Sequence, residues 1–194
     1  MNRSNLRNWV VLAITTVVIL GGVWLVQAKP WSASRGDPTD PGGLSTSGVT
    51  LPKGQDPPKV GQTAPDFTAP GIDGTTISLS GLRGKPVWLI LGTTWCTYCR
   101  SEAPDVQALS VEYAGRVTVV AVYIAEDELT VTPYAERLKL TYPQIADANM
   151  QIGTAYAVMG MPAHFFLDST GTVAQTRVGA ISRQAASNIL ASLT

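Results

Sequence analysis

Cys96 and Cys99 are the only two cysteines in this 194-residue chain, and they stand three positions apart in a C-x-x-C motif. Residues 87–91 before them read Val-Trp-Leu-Ile-Leu and predict a short buried strand, whereas residues 100–113 after them carry a helical pattern. The motif is therefore expected where a strand ends and a helix begins. Residues three apart on a helix share one face, so the two sulfur atoms can meet there.

This placement favours a redox-active dithiol. The free amides and positive dipole end of a first helical turn stabilise a thiolate on Cys96, and the thiolate is the nucleophile of disulfide exchange. We expect Cys96 to be exposed and nucleophilic, and Cys99, one turn in, to be the buried resolving thiol. A structural disulfide is one alternative, but it would close a tiny loop and restrain the unfolded chain little. A zinc site is another, but zinc usually needs four ligands, and His164 is the sole further Cys or His candidate. His164 is expected to be a half-buried strand residue and not a catalyst. We predict no metal and no cofactor beyond the Cys96–Cys99 couple.

The beginning of the chain predicts a membrane anchor. Residues 9–26 form a run of eighteen residues without a charge, which as a helix would span about 27 Å, close to the thickness of a hydrocarbon core. Arg3 and Arg7 precede it, so the N-terminus is expected in the cytoplasm and the rest of the chain outside it, in a single pass. A cleaved signal peptide is the alternative, since residues 26–28 resemble a cleavage site, but the apolar run is longer than the usual 7–15 or so. We assign residues 1–28 to the anchor.

A linker and one folded domain are expected to follow. Residues 29–60 contain six prolines and five glycines and few large apolar side chains, so they predict a flexible tether that holds a domain, residues 61–194, away from the membrane. Fourteen basic residues balance fourteen acidic ones, which gives no electrostatic basis for binding nucleic acid.

The remaining pattern predicts an α/β domain. Residues 126–128 read as a short, solvated acidic loop. The other predicted elements are a hairpin in 65–79, a strand at 117–124, a helix starting at Thr132-Pro133, strands at 163–167 and 172–178, and a closing helix at 181–193. Parallel β-α-β units followed by an antiparallel pair predict one mixed sheet with helices on both faces.

This element order, with C-x-x-C opening the first helix of the core, resembles the thioredoxin fold over essentially all of residues 61–193. Trp95 precedes the cysteines, Pro104 stands where the thioredoxin active-site helix kinks, and residues 160–168 look like the loop and strand that bear the fold's cis-proline. The resemblance implies that Pro162 is cis and faces the cysteines, and that the backbone of Met161 pairs with substrate like an added strand.

Among thioredoxin-like proteins the chain most resembles the membrane-anchored TlpA/ResA/CcmG (DsbE-like) group, which has an anchor, a spacer, an added N-terminal hairpin and a helical insertion. Glu102, three residues after Cys99, matches that group's active-site glutamate, whereas Ile90 stands where ordinary thioredoxins carry a buried aspartate. Glu102 is expected to relay the proton of Cys99, and the alternative is a solvated acid in the first turn of the helix. The residues expected to contact substrate are Trp95, Thr97, Tyr98, Met161 and Pro162.

The resemblance implies an extracytoplasmic thiol-disulfide oxidoreductase that acts as a reductase. Its expected substrates are disulfide-containing or dithiol proteins, such as apocytochrome c or a copper-binding partner, and a membrane redox protein would re-reduce it. A peroxidase is one alternative, because Thr93 and Cys96 match the T-x-x-C core of peroxiredoxins, although Leu89 replaces the upstream proline. A non-enzymatic copper-binding or scaffolding module is the other.

Overall fold

The computed structural model describes residues 48–54 and 56–194. The predicted anchor, residues 1–28, and most of the predicted linker therefore lie outside the described residues. Within the described part, none of the helices combines the length and the apolar character that crossing a membrane requires.

The described chain forms a domain of seven strands and four α-helices. In chain order these are β1 (Thr68–Pro70), β2 (Thr76–Ser78), β3 (Val87–Gly92), α1 (Thr97–Glu112), β4 (Thr118–Ile124), α2 (Glu128–Leu138), β5 (Gln144–Asp147), α3 (Gln151–Ala155), β6 (Ala163–Leu167), β7 (Val173–Val178) and α4 (Arg183–Leu193).

Five of the strands form one mixed sheet in the order β5-β4-β3-β6-β7. Strands β3, β4 and β5 run parallel, whereas β6 runs antiparallel to β3 and β7 antiparallel to β6. All six residues of β3, the central strand, are buried. Right-handed crossovers from β3 to β4 and from β4 to β5 bring α1 and α2 to the same face of the sheet, where their apolar side chains share one core with those of α4.

The opposite face is covered mainly by the N-terminal hairpin. Strands β1 and β2 pair around Gly74, whose φ of 78° suits the tight turn, and the buried side chains Phe67 and Ile77 pack into a second core with Tyr156, which follows α3. Relative to a plain β-α-β-α-β-β-α order, the chain has one additional strand and one additional helix between β4 and β6. The predicted thioredoxin-like mixed sheet and its added hairpin are thus confirmed.

The packed part of the chain begins before Gly61. Val49 is buried in the hairpin core, and the backbone of Thr50 exchanges two hydrogen bonds with Thr68, of 2.7 and 2.9 Å. Part of the sequence predicted as linker therefore forms a short additional pairing on the edge of β1.

A fragment starting at residue 61 is consequently expected to be less stable than one starting at residue 48, by about 2 kcal/mol, because it loses the burial of the Val49 side chain. Urea unfolding of the two fragments measures this difference. Val49→Ala in the longer fragment should reproduce part of the loss, and Val60→Ala, at an exposed position, should not. Equal unfolding midpoints for the two fragments would contradict the prediction.

Helix α2 begins five residues before the position predicted from Thr132-Pro133, since its cap is Asp127 and not Thr132. The carboxylate of Asp127 accepts hydrogen bonds from the amide and the hydroxyl of Thr130, at 2.9 and 2.7 Å. Pro133 therefore lies inside α2.

Candidate active site

Cys96 occupies the N-cap position of α1. Its backbone is extended, with φ −65° and ψ 120°, and its sulfur accepts a hydrogen bond from the amide of Cys99 at 3.3 Å. Both cysteines are free thiols in this structure. At most helix starts, the N-cap oxygen of a serine or aspartate accepts this hydrogen bond. The Cys96 sulfur takes that place here, so the helix start stabilises a negative charge on it in the same way.

The pKa of the Cys99 thiol is raised to about 12. Burial is the main cause, followed by the hydrogen bond with Cys96, and the negative charges of Cys96 and Glu102 add to the effect. At neutral pH the proton therefore stays on Cys99, and Cys96 is the sulfur that the site leaves available for attack.

The exposure of the two cysteines differs from the expectation. Cys96 is only 8 % exposed, whereas Cys99 as a whole residue is half-buried. The reason is that the Cys96 sulfur turns inward onto the first turn of α1 instead of outward to solvent. The roles of nucleophile and resolving thiol are therefore assigned from the hydrogen bond to the Cys96 sulfur and from the raised pKa of Cys99. The solvent exposure of the two side chains does not assign them.

Gly92 makes room for Cys99 and was missed in the sequence. A Cβ atom at position 92 would lie 2.8 Å from the Cys99 sulfur, far inside van der Waals contact. A glycine at the end of an otherwise bulky buried strand signals such a close approach, and this signal was present directly before the motif.

Glu102 lies in the interior beside Cys99. It is 5 % exposed, and its Oε2 atom accepts a hydrogen bond from the amide of Ile181 at 3.3 Å. Cys99 and Glu102 line a common cavity of about 30 Å³ together with Tyr123, Tyr134 and Tyr142, which is enough space for one water molecule. The alternative of a solvated first-turn acid is therefore wrong, and the role of Glu102 as a proton relay stays a prediction.

His164 is fully buried, although a half-buried strand residue was expected. Its Nε2 atom lies 3.5 Å from Oε2 of Glu102, and its Nδ1 atom accepts a hydrogen bond from the indole of Trp88 at 3.3 Å. Adjacent strands β3 and β6 thus place a histidine directly behind the active-site glutamate.

Glu126 is a second residue that the sequence did not reveal. It was read as part of a solvated loop, yet it is buried, and its carboxylate accepts hydrogen bonds from the amide of Thr94 at 2.7 Å and from the Thr94 hydroxyl at 2.6 Å. Because β4 runs parallel to β3, the residues that follow both strands meet at one edge of the sheet. Through these two hydrogen bonds, Glu126 holds the segment that carries Trp95 and Cys96 in position.

We expect Glu126→Ala to destabilise the domain by about 1.5–3 kcal/mol, since hydrogen bonds to a charged acceptor are lost, and to slow disulfide exchange because the Cys96 segment is no longer held. Glu128→Ala removes a neighbouring exposed acid and should cost less than about 1 kcal/mol. Thermal unfolding and an exchange assay on both variants test this pair. Equal effects of the two substitutions would show that Glu126 has no special role.

The predicted substrate-contacting residues lie on two segments, the start of α1 with the residue before it and the loop before β6. Trp95 and Tyr98 are 67 % and 64 % exposed, and Thr97 is exposed beside them.

The Met161–Pro162 peptide bond is cis. Because Leu91 pairs with Ala163, the loop that contains this bond lies beside the end of β3. Pro162 is buried and Met161 half-buried, and Met159, which was not predicted, is almost fully exposed. Their contact with substrate stays a prediction.

Across residues 48–54 and 56–194, no group of three or more His, Cys, Asp or Glu side chains is arranged to hold a metal ion. The acid–base groups at the site are those of the cysteine pair, Glu102 and their neighbours.

Comparison with known proteins gives one consistent picture. The model of the AhpC/TSA family matches residues 60–176. The chain is similar to the thiol-disulfide oxidoreductase ResA of Geobacillus kaustophilus, with 37% identity over 64% of this chain and 72% of the relative.

Solved structures are also similar. The crystal structure of a thiol:disulfide interchange protein of the thioredoxin family from Chlorobium tepidum TLS superimposes with a TM-score of 0.63 and 27% identity, over 68% of this chain and 95% of that one. A secreted disulfide oxidoreductase of Mycobacterium tuberculosis, homologous to DsbE of E. coli, superimposes with a TM-score of 0.60 and 28% identity over 66% of this chain and 96% of its own.

Proposed function

Because this chain belongs to the AhpC/TSA family and is a ResA-like thiol-disulfide oxidoreductase, we propose that it reduces disulfide bonds of partner proteins outside the cytoplasm. The proposal rests on the different chemical properties of the two thiols. The Cys96 sulfur is stabilised as an anion by the Cys99 amide, while the raised pKa of Cys99 keeps its proton in place until the second step.

In the first step, the Cys96 thiolate attacks one sulfur of a partner disulfide. The partner's S–S bond breaks, a mixed disulfide with Cys96 forms, and the released partner thiolate takes a proton from solvent. In the second step, Cys99 gives up its proton and attacks the Cys96 sulfur, so that the second partner sulfur leaves as a thiolate. The partner gains two electrons and the Cys96–Cys99 disulfide is formed.

Glu102 is the proposed acceptor of the Cys99 proton. It is the carboxylate that shares a small cavity with the Cys99 thiol, and a carboxylate within reach directly or through one water can serve as a general base. Its negative charge also raises the pKa of Cys99, so Glu102 both delays the second step and receives the proton when the mixed disulfide has formed.

The surface around Cys96 suits an unfolded or loosely folded partner. Trp95, Tyr98 and Met159 expose large apolar side chains, and exposed apolar groups of this kind favour a protein partner over a small polar substrate. This supports substrates such as a cytochrome c precursor before haem attachment, as the resemblance to the TlpA/ResA/CcmG group implies.

The location outside the cytoplasm rests on the sequence. The charge-free residues 9–26 behind Arg3 and Arg7 support an anchor with the domain on the far side of the membrane, and a lone dithiol pair is most useful where conditions are oxidising. A membrane redox protein is the proposed donor that re-reduces the Cys96–Cys99 disulfide after each cycle.

The test is to measure insulin reduction and the redox potential of the couple in glutathione buffers. A reductase should reduce insulin and have a potential closer to the −270 mV or so of thioredoxin than to the −120 mV or so of a strong oxidase. A potential near the oxidase value would reverse the proposed direction. Rapid consumption of hydrogen peroxide would instead support the peroxidase, and stoichiometric copper on an enzyme inactive toward disulfides would support the binding module.

A further inference from the structure

Trp88 and His164 form a buried hydrogen bond that defines the tautomer of the histidine. The indole Nε1–H can only donate, and it lies 3.3 Å from Nδ1 of His164. Nδ1 must therefore present its lone pair, and a neutral imidazole carries its hydrogen on Nε2. Stacking on Phe166, with ring centroids 5.4 Å apart, holds the indole in place.

The resulting Nε2–H lies near the carboxylate of Glu102. The distance from Nε2 to Oε2 is 3.5 Å, and Nε2 has no hydrogen-bond partner among the described residues. Both side chains are almost completely removed from solvent, so the electrostatic contact is strong even at a distance slightly too long for a good hydrogen bond. A buried, unpaired N–H pointing at a functional carboxylate calls for a reason.

None of the described residues that line the cavity beside Glu102 has a basic side chain. The cavity beside it presents the Cys99 thiol from α1 and the tyrosines 123, 134 and 142 from β4, α2 and the loop before β5. Burial raises the pKa of each of these tyrosines, so they remain neutral. The Ile181 amide, from the loop before α4, is the other donor to Glu102.

We propose that His164 is a positioning residue for the exchange reaction, and that its Nε2–H keeps the Glu102 carboxylate aimed at Cys99. Trp88 contributes by holding the histidine in the tautomer that can donate. The contact is long enough for Glu102 to accept the Cys99 proton without breaking a tight hydrogen bond. This inference rests on the proposed function, because it assigns His164 a part in the proton step of that reaction.

Three variants of the full chain test the proposal. His164→Leu removes the donor, so the Glu102 carboxylate should no longer be held toward Cys99. Resolution of a mixed disulfide by Cys99 should then slow at least tenfold at pH 7, and Cys99 should be alkylated at lower pH because the carboxylate that raises its pKa has moved away. His164→Gln places an amide N–H near the position of Nε2 and should stay within threefold of the original protein. Trp88→Phe frees the tautomer and should fall between them.

The tautomer itself can be read without any substitution. His164 is the only histidine of the chain, so its ring ¹⁵N signals need no assignment, and they should report a neutral ring with the hydrogen on Nε2 at pH 7. A ring protonated on Nδ1, or an imidazolium, would overturn the proposal even if the His164→Leu variant failed to fold.

Superimposable pH profiles of Cys99 alkylation in His164→Leu and the original protein would also overturn it, as would an equal loss of rate in His164→Gln and His164→Leu. Alkylation and NMR need no partner protein. An enzyme that shows the expected profiles but reduces no protein disulfide would therefore contradict the proposed function and leave the role of His164 intact.

Discussion

A Cys99→Ser variant is expected to accumulate stable mixed disulfides with partner proteins through Cys96, whereas Cys96→Ser should form none and lose exchange activity completely. The asymmetry follows from the site. The Cys96 sulfur accepts the Cys99 amide at the start of α1, so it can attack. The Cys99 thiol, with a pKa raised to about 12, is almost entirely protonated at pH 7 and waits for a disulfide to form beside it.

Iodoacetamide labelling across pH, read by mass spectrometry, distinguishes the two thiols directly. Cys96 should react at neutral pH and Cys99 only in strong base. The Cys96→Ser/Cys99→Ser double variant has no cysteine left, so any label that it takes up measures reaction at other side chains. Faster alkylation of Cys99 than of Cys96, which its greater exposure alone would suggest, would show that the roles are reversed.

A Glu102→Gln variant should keep its fold but resolve mixed disulfides about 100-fold more slowly, the order of effect typical for the loss of one acid–base group. The direction in which the pKa of Cys99 should change is also determined. The negative charge of Glu102 raises the pKa of the Cys99 thiol, so its removal should lower that pKa and allow Cys99 alkylation at lower pH. The variant would thus combine a more acidic thiol with a slower reaction.

The matched control is Glu112→Gln on the same helix, where the glutamate is half exposed and pairs with Arg183 on the surface. Exchange rates and alkylation profiles of this control should coincide with those of the original protein. If the Glu102→Gln curves coincide with them as well, Glu102 has no part in the reaction and serves only to accept the Ile181 amide.

The sequence predicted the parts of the site that lie close together in the chain. The strand-to-helix placement of the cysteines, the glutamate one turn later and the loop with Pro162 are all encoded by local patterns, and the family resemblance covers them. Glu126 and His164 were misjudged because their partners are remote, with Thr94 32 positions from Glu126 and Trp88 76 positions from His164. An acid in a loop and a histidine in a strand have ordinary solvated or structural roles until the sheet order is known.

The inward turn of Cys96 was unpredictable for a related reason. A C-x-x-C motif at a helix start indicates a thiolate stabilised by backbone amides, but it does not say how much of the surrounding surface covers the sulfur. In the structure the sulfur lies against the first turn of its own helix, where it accepts the Cys99 amide, and the motif alone does not specify this side-chain orientation.

The central position of β3 has a consequence for how the chain matures. The parallel half of the sheet supplies Glu126, which binds the segment before Cys96, and the antiparallel half supplies His164, which lies beside Glu102. The surroundings of the two thiols are therefore complete only after both halves have docked on β3. A newly made, partly folded chain would carry an ordinary dithiol with little preference between its sulfurs. Site-selective labelling at neutral pH could therefore follow the completion of folding in living cells, with the cysteine pair as a built-in reporter that needs no added dye or tag.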